Sequence, residues 1–318
     1  MISLQDVQQA RGRISDFVKR TPTVSSRTLS EMLGTKVYLK LELLQTTGAF
    51  KVRGAFNKIL TNLEHARRSG VVAVSGGNHA QAVAYAGRVL GCRTVVLTHR
   101  STPRNYLEAT RGYGAEVIQL EDISEAFAKA HEYEQQGMLF VHPFDDPLVM
   151  AGQGTLGLEI LEDVPEVTDV FVSIGGGGLM SGTAVAIRSQ KNVRFCGVET
   201  EGADAMALAL AAGHPVEIRP TSIAKTLGAP SVSPRTLAMA KEHLLTVTVV
   251  SDKEAVEALE TLLERAKVLT EPAASCTLAA ALRAKDRFSP DCHVVLILCG
   301  GNLGVEDLCE YHARFLKR

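Results

Sequence analysis

The sequence predicts an α/β protein with two parallel β-sheets and helices on both faces of each sheet. Short apolar segments alternate with amphipathic segments of about 10–15 residues, which is typical of parallel strands joined by helical crossovers. The apolar fraction is 46%, whereas aromatic residues make up only 5% and tryptophan is absent. An aliphatic composition of this kind suits helices packed on buried parallel strands.

The first run of predicted elements covers the N-terminal part of the chain. Helical periodicity opens it, and proline and serine residues after position 20 break that helix. An alternating apolar pattern then predicts a strand, and regular alternation of strands and helices starts at Val71. The predicted elements are helices at 4–17, 78–90, 103–111 and 124–136, and strands at 37–43, 71–74, 94–97 and 116–120.

A turn-rich segment, 142–147, leads into the second run. Ser251 and Glu254 have the spacing of a capping box and predict the start of one further helix. The other predicted elements are helices at 154–161, 179–188, 203–212 and 274–284, and strands at 170–173, 193–198 and 293–298. The predicted domains are a large one formed by residues 1–66 and 147–318, and a small one formed by residues 67–146.

The charge balance, the cysteine pattern and the longest uncharged segment argue against several classes of partner and site. The 318 residues include 34 Lys and Arg against 35 Asp and Glu, so no nucleic-acid or acidic-membrane partner is expected. The six cysteines form no CxxC pair, which predicts a cytoplasmic protein without a zinc site. The longest uncharged segment, 170–187, contains four consecutive glycines and is expected to be a strand, loop and helix, not a membrane span.

Three predicted strands end in polar or glycine-rich loops, at 75–79, 175–178 and 299–302. Ligands of parallel sheets bind beyond the carboxyl ends of the strands, so we expect the three loops to share one site. The four glycines at 175–178 can direct successive backbone N–H groups at a phosphate, although a tight turn for close packing is the alternative. No Walker motif or complete G-x-G-x-x-G/A pattern is present.

Two further residues, Glu199 and Lys51, suggest two different kinds of enzyme chemistry. Glu199, close to the end of the next strand, stands where a ribose-binding carboxylate would lie in a nicotinamide-dependent oxidoreductase. Lys51 stands between an aromatic and an apolar residue, and a desolvated lysine has a lowered pKa and a nucleophilic amine. The alternative for Lys51 is a solvated residue on the first turn of a helix.

Five motifs together resemble the pyridoxal-phosphate enzymes of fold type II, whose architecture is similar to that of the tryptophan synthase β-subunit. The resemblance is strongest to the branch of threonine/serine dehydratases and serine racemases, and it covers essentially the whole chain. The motifs are Gly-Ala-Phe-Lys-Val-Arg-Gly-Ala at 48–55, Ser-Gly-Gly-Asn-His-Ala at 75–80, Gly-Gly-Gly-Gly-Leu at 175–179, Glu-Pro-Ala at 271–273 and Cys-Gly-Gly-Asn at 299–302.

The resemblance implies that pyridoxal 5'-phosphate is the cofactor. Lys51 would bind it as a Schiff base and act as the base at the substrate α-carbon. Phe50 would pack beside the ring, Asn78 would bond the phenolic oxygen, and Cys299 would lie near the pyridine nitrogen. The backbone amides that would hold the phosphate are those of Gly175, Gly176, Gly177, Gly178 and Leu179. The loop that would hold the substrate carboxylate comprises Ser75, Gly76, Gly77, Asn78 and His79.

The implied reaction is an α,β-elimination that converts a β-hydroxy amino acid, such as L-threonine, L-serine or L-threo-phenylserine, to a 2-oxo acid and ammonia. Phe144 could line a pocket for a larger β-substituent. A serine or hydroxyaspartate racemase-dehydratase is the alternative, but the racemases carry a serine where this chain has Gly76, so little racemisation is expected. The resemblance also implies a homodimer.

A cation site of the family is incomplete in this sequence. Glu199 and the Ala203 carbonyl match two of its ligands, but Ala205 stands where a further carboxylate is expected. We predict that no metal binds and that the ammonium of Lys225 reaches Glu199 in place of the cation. The alternative is that Lys225 is an exposed loop residue.

Overall fold

The structure, a computed structural model, describes residues 1–244 and 246–316 and contains two separate sheets. In the larger sheet one edge strand is antiparallel to its neighbour, and all other pairs are parallel. Its six strands are, in sheet order, β1 (Thr23–Ser25), β2 (Lys36–Leu41), β10 (His293–Leu298), β7 (Asp169–Ser173), β8 (Arg194–Thr200) and β9 (Thr246–Val250).

The smaller sheet is entirely parallel, and three helices belong to the segment that forms it. Its strands are, in sheet order, β5 (Glu116–Leu120), β4 (Thr94–His99), β3 (Val71–Val74) and β6 (Leu139–Phe140). The three helices are α5 (Asn78–Leu90), α6 (Arg104–Gly112) and α7 (Ile123–Gln135). All four residues of β3 are buried, as expected for a strand that is covered on both faces.

The remaining helices surround the larger sheet and connect it to the smaller one. They are α1 (Leu4–Ile14), α2 (Arg27–Leu33), α3 (Val52–Thr61), α4 (Leu63–Ser69), α8 (Pro147–Asp163), α9 (Gly178–Arg188), α10 (Ala205–Ala212), α11 (Pro234–His243), α12 (Asp252–Thr261), α13 (Pro272–Arg283) and α14 (Val305–Tyr311). No helix of the described residues is both long enough and apolar enough to cross a membrane.

Helix α8 brings together the two helices that begin at the predicted site. Its glycines allow unusually close packing: a Cβ atom on Gly152 would lie 2.6 Å from the Arg53 carbonyl oxygen in α3, and one on Gly154 would lie 2.6 Å from the Gly182 carbonyl oxygen in α9. Lys51 directly precedes α3, and the glycine loop directly precedes α9. Close packing on α8 therefore fixes both N-termini relative to each other.

A buried network of charges supports α3 from the side of β2 and α8. The Arg53 guanidinium donates to both oxygens of Glu42 at 2.8 Å and to both oxygens of Glu159 at 2.7 and 2.9 Å. Lys40 also donates to Glu159, at 2.6 Å. Arg53, Lys40 and Glu42 are each 0% exposed, so the opposite charges stabilise groups that would otherwise be costly to bury.

The predicted fold class is confirmed, and most predicted elements occur within a few residues of their expected bounds. Helix α1 ends at Ile14, before the predicted residue 17, and β8 continues one residue past Glu199. Helix α8 begins at Pro147 rather than at residue 154, because the Asp146 side chain accepts the backbone N–H groups of Leu148 and Val149 and caps it. The elements that we did not predict are β1, β6, β9, α2, α4, α11 and α14.

The two-domain division stays a prediction. All strands of the smaller sheet lie within the predicted small domain, 67–146, and all strands of the larger sheet lie outside it. The last two residues of the predicted large domain, Lys317 and Arg318, lie outside the described part of the chain.

Candidate active site

A cavity of about 350 Å³ lies where the carboxyl ends of the central strands of both sheets meet. The three loops that were predicted to share a site all contribute to its lining. The predicted residues that line it are Phe50, Lys51, Ser75, Gly76, Gly77, Asn78, His79, Phe144, Gly175, Gly176, Gly177, Gly178, Leu179, Lys225 and Cys299. The parallel register explains this convergence, because Leu41 of β2 pairs with Leu298 of β10 and Leu296 pairs with Phe171 of β7.

Lys51 reaches the cavity from the residue before α3. Its Nζ donates a hydrogen bond to the Pro143 carbonyl oxygen at 2.7 Å and lies 5.1 Å from the centre of the Phe50 ring. Desolvation lowers the pKa of Lys51 to about 8, although the nearby Cys299 and Glu271 act in the opposite direction. A substantial fraction of the amine is therefore neutral, and nucleophilic, just above neutral pH.

The glycine loop between β7 and α9 has no room for side chains. Gly177 has φ = 94°, a left-handed conformation that favours glycine. A Cβ atom on Gly176 would overlap the Phe144 ring, and one on Gly175 would lie 3.2 Å from the backbone of Leu227. The loop ends at the N-terminus of an 11-residue helix, so its backbone N–H groups can form a cradle for an anion.

The loop between β3 and α5 is held by its own side chains. The Ser75 hydroxyl accepts the Gly77 N–H at 3.1 Å. His79 Nε2 donates to the Val141 carbonyl oxygen at 2.8 Å, and burial lowers the pKa of His79 to about 3. The imidazole is thus neutral and engaged with the backbone, so any contact of this loop with a carboxylate would use its backbone N–H groups and its other side chains.

Gly76 faces two threonine hydroxyls across the loop. A Cβ atom on Gly76 would overlap the Thr102 hydroxyl oxygen and would lie 3.0 Å from that of Thr98. The two hydroxyls are hydrogen-bonded to each other at 2.5 Å. The position therefore supplies no acid or base and has little space for one.

Cys299 directly follows β10 and lines the cavity. Its thiol lies 3.6 Å from the Ala273 carbonyl oxygen and 3.9 Å from the Ser173 hydroxyl. Burial, with the carboxylate of Glu271 nearby, raises the pKa of Cys299 well above its usual range. Cys299 is therefore a neutral thiol, which is a weak hydrogen-bond donor.

Glu271 is a site residue to which the sequence assigned no role. Its Oε1 accepts hydrogen bonds from Asn78 Nδ2 at 2.8 Å and from the Thr226 hydroxyl at 3.0 Å. Burial raises the pKa of Glu271 to about 7. The sequence signal was an acidic residue directly before a proline at the start of a helix, which also suits an ordinary helix terminus. Thr102, Thr226 and Tyr106 are further lining residues that were not predicted.

The predicted contact between Lys225 and Glu199 is wrong. Lys225 Nζ lies 3.6 Å from Asp307, and its side chain is 58% exposed. The two oxygens of Glu199 instead accept the backbone N–H groups of Met206 and Ala207 at 2.9 and 2.8 Å, at the start of α10. The helix N-terminus thus provides the partners that we had expected from a cation or an ammonium.

The other positions of the incomplete cation site lie beside the start of the same helix. The Ala203 N–H donates to the Thr200 carbonyl oxygen at 2.8 Å, and Ala205 is the first residue of α10. Burial raises the pKa of Glu199 to about 8, although the hydrogen bonds from the Met206 and Ala207 N–H groups act in the opposite direction. Among residues 1–244 and 246–316, no three His, Cys, Asp or Glu side chains are grouped so that they could hold a metal ion.

Comparison with known proteins gives a consistent result. Residues 14–300 match the family described as pyridoxal-phosphate dependent enzyme. The chain is 41% identical over 310 residues to an L-threonine ammonia-lyase of Thermotoga maritima, covering 96% of this chain and 77% of the relative. Serine racemase from Dictyostelium discoideum has a similar structure, with a TM-score of 0.88 at 34% identity and coverage of 96% and 99%. The processed form of threonine deaminase isoform 2 from Solanum lycopersicum is also similar, with a TM-score of 0.90 at 30% identity. The match covers 98% of this chain and 86% of that structure.

Proposed function

The chain belongs to the pyridoxal-phosphate-dependent enzymes, as its motifs indicate, and on that premise we propose that it is a dehydratase of β-hydroxy amino acids. The reaction is an α,β-elimination that yields a 2-oxo acid and ammonia. The observation that carries the proposal is the position of one partly buried lysine amine, Lys51, in the same cavity as a four-glycine anion cradle.

The residues of the cavity fit the cofactor. The cradle at 175–178 would hold its phosphate, and the close contacts that added Cβ atoms would make with Leu227, Phe144 and Thr236 explain why glycine is needed there. Asn78 has one side-chain N–H beyond the one given to Glu271, which suits an oxyanion. Cys299 offers a weak donor for a ring nitrogen, and Phe50 offers an apolar face.

The chain's own groups can remove the substrate α-proton and orient the cofactor. When bound, pyridoxal phosphate supplies an electron sink that makes the substrate α-proton acidic. Lys51, with a pKa of about 8, is suited to take that proton as a general base near neutral pH. The neutral thiol of Cys299 places no positive charge beside the ring, which favours elimination over prolonged carbanion stabilisation.

Two alternatives are less well supported. A racemase needs a second acid or base on the other face of the substrate, and Gly76 provides none. A nicotinamide-dependent oxidoreductase was suggested by Glu199, but both oxygens of Glu199 are occupied by backbone N–H groups and the residue does not line the cavity.

The side of the cavity formed by α7 and the segment before α8 favours an apolar β-substituent. Ile123, Phe127 and Phe144 line it, and the Phe144 ring packs against His142 with 4.7 Å between ring centres. The one exposed cation of the lining, Lys225, is paired with Asp307. We therefore expect threonine and phenylserine to be better substrates than a β-hydroxy amino acid with a second carboxylate.

The test is formation of 2-oxo acid, with ammonia, from L-threonine, L-serine, L-threo-phenylserine and L-threo-hydroxyaspartate at equal concentrations. Turnover of threonine or phenylserine above that of hydroxyaspartate is the expected result. No 2-oxo acid from any of the four would contradict the dehydratase assignment, and a preference for hydroxyaspartate would contradict the apolar-pocket assignment alone.

We also propose a cytoplasmic homodimer. The location is supported by six free cysteines, five of them buried, which suit a reducing compartment. The dimer rests on the family resemblance, and light scattering on purified protein tests it. A monomeric mass would overturn this part of the proposal.

A further inference from the structure

A chain of hydrogen bonds fixes the orientation of the Asn78 side chain. Asn302 Nδ2 donates to the Thr47 carbonyl oxygen at 2.8 Å and to Asn78 Oδ1 at 2.8 Å. A carbonyl oxygen can only accept, so the main chain determines which way the Asn302 amide faces. Asn78 is in turn held with its oxygen toward Asn302 and its NH₂ group away from it.

Glu271 receives that NH₂ group. Asn78 Nδ2 donates to Glu271 Oε1 at 2.8 Å, and the Thr226 hydroxyl donates to the same oxygen at 3.0 Å. Glu271 is only 3% exposed, and its Oε2 is buried without a hydrogen-bond partner among the described residues. A proton on the carboxyl would therefore reside on Oε2, and Oε1 accepts from Asn78 in either protonation state.

Glycines make room for both ends of this chain. Gly48 has φ = 73°, and a Cβ atom there would lie within 3.0 Å of the Asn302 side chain. A Cβ atom on Gly300 would lie 2.7 Å from Glu271 Oε1 and 3.1 Å from Asn78 Nδ2. Two glycines of the conspicuous motifs thus serve the placement of side chains, in addition to any contact with a ligand.

We propose that Glu271 is a positioning residue that orients the Asn78 amide, so that the second N–H of Asn78 faces the cavity and donates to an oxyanion of the bound cofactor. The inference rests on the proposed function, because the cofactor supplies the oxyanion. Without the acceptor on Glu271, the Asn78 amide keeps only its hydrogen bond from Asn302, and nothing then fixes the direction of its NH₂ group. The expected loss is in cofactor binding and in the electronic state of the bound cofactor.

The experiment compares reconstitution of five apo-proteins with pyridoxal 5'-phosphate: the unmodified chain, Glu271→Gln, Glu271→Met, Asn78→Ala and the double variant Glu271→Met/Asn78→Ala. Glu264→Gln is the matched control, since Glu264 is exposed and does not line the cavity. The readouts are the dissociation constant of the cofactor, the visible absorbance spectrum of the bound state and the melting temperature of each apo-protein.

The thioether of Glu271→Met is only a weak hydrogen-bond acceptor, so this variant should bind the cofactor about tenfold more weakly, with a shifted spectrum. Glu271→Gln keeps an acceptor oxygen and should bind within about threefold of the unmodified protein, with an unshifted spectrum. The double variant should bind no more weakly than Asn78→Ala, because Glu271 acts through Asn78. If Glu271→Met does not fold, the spectrum and cofactor affinity of Glu271→Gln still test the inference, because a strong loss in that variant would contradict it.

Three results would overturn the inference: Glu271→Gln as impaired as Glu271→Met, losses of Glu271→Met and Asn78→Ala that add, or unchanged binding and spectrum in Glu271→Met. If the role of Glu271 were purely structural, Glu271→Met would have a lower melting temperature, and Glu271→Gln would not restore the spectrum of the unmodified protein. If the unmodified protein binds no pyridoxal phosphate, the proposed function itself is wrong, an outcome that is distinct from a failure confined to the variants.

Discussion

The Nζ of Lys51 lies 2.7 Å from the carbonyl oxygen of Pro143 and donates a hydrogen bond to it. Pro143 belongs to the segment between β6 and α8, so the chain that connects the two sheets also holds the amine of the cavity. A carbonyl oxygen accepts from an ammonium and also from a neutral amine, and the neutral amine keeps its lone pair. The contact therefore orients Lys51 without consuming its nucleophilicity.

Replacement of this amine should abolish catalysis. Lys51→Ala removes both the covalent attachment and the base, and we expect turnover to fall by at least about a thousandfold. Borohydride treatment of the unmodified holoenzyme should attach the cofactor to the peptide that contains Lys51. The matched control is Lys253→Ala, an exposed lysine on α12, which should keep full activity. Labelling of another lysine would contradict the assignment.

The lowered pKa of Lys51 predicts how cofactor capture depends on pH. The neutral amine is the reactive form, so the rate at which apo-protein captures pyridoxal phosphate should rise with pH and level off above about 8. An ordinary lysine would show this rise near its usual pKa of about 10.4. Stopped-flow absorbance between pH 6 and 10.5, limits chosen to bracket both of these values, measures it. A rate that still increases between pH 9 and 10 would show that Lys51 is not desolvated.

The absence of a side chain at position 76 predicts elimination with little racemisation. Gly76→Ser alone should lose activity, because its Cβ would overlap the Thr102 hydroxyl. Gly76→Ser combined with Thr102→Ala removes the closest of the contacts that this Cβ would make and should release D-isomer beside 2-oxo acid. Gly76→Ala/Thr102→Ala is the control without a hydroxyl and should release none. Chiral chromatography of serine incubations measures both products, and abundant D-serine from the unmodified enzyme would refute the argument.

Local sequence signals were sufficient for most of the fold and for the location of the site. Buried strands such as β3 are short continuous apolar runs, and the loops that follow parallel strands necessarily gather at one edge. Phe144 was expected near a substrate pocket from its place between the two runs, and it lies against the glycine loop.

Other features depend on contacts between distant segments and left no local signal. The three residues of β1 form a strand only because β2 offers a free edge. Glu271 receives its hydrogen-bond donors from Asn78 and Thr226, 193 and 45 residues away in sequence. Lys225 was expected at Glu199 because the cation site lacks a carboxylate at Ala205 and an ammonium could replace the cation. Backbone N–H groups, which every sequence contains, occupy that place instead.

The buried charge network predicts a large loss of stability when it is broken. Arg53→Met leaves Glu42 buried without its partner and should cost about 3–5 kcal/mol of unfolding free energy at pH 7. Although burial raises the pKa of Glu42, Arg53 holds it below its usual value. The stability that this pairing contributes is therefore present above the usual glutamate pKa and is lost as pH falls through the lowered value. Urea unfolding at pH 7 and at a series of pH values below the usual glutamate pKa of about 4.3 checks both statements, with exposed Arg27→Met as the control.

The positions of Lys225 and Glu199 predict that the two residues act independently. Lys225→Ala should change the unfolding free energy by less than about 1 kcal/mol, because its contact with Asp307 is long and exposed. Glu199→Ala should cost about 1–3 kcal/mol, since the buried Met206 and Ala207 N–H groups lose their acceptor. The two changes should add in the double variant, within the few tenths of a kcal/mol expected for separate sites. Urea unfolding of the four proteins measures this cycle. A coupling energy above about 1 kcal/mol would indicate a direct interaction between Lys225 and Glu199 and would contradict this prediction.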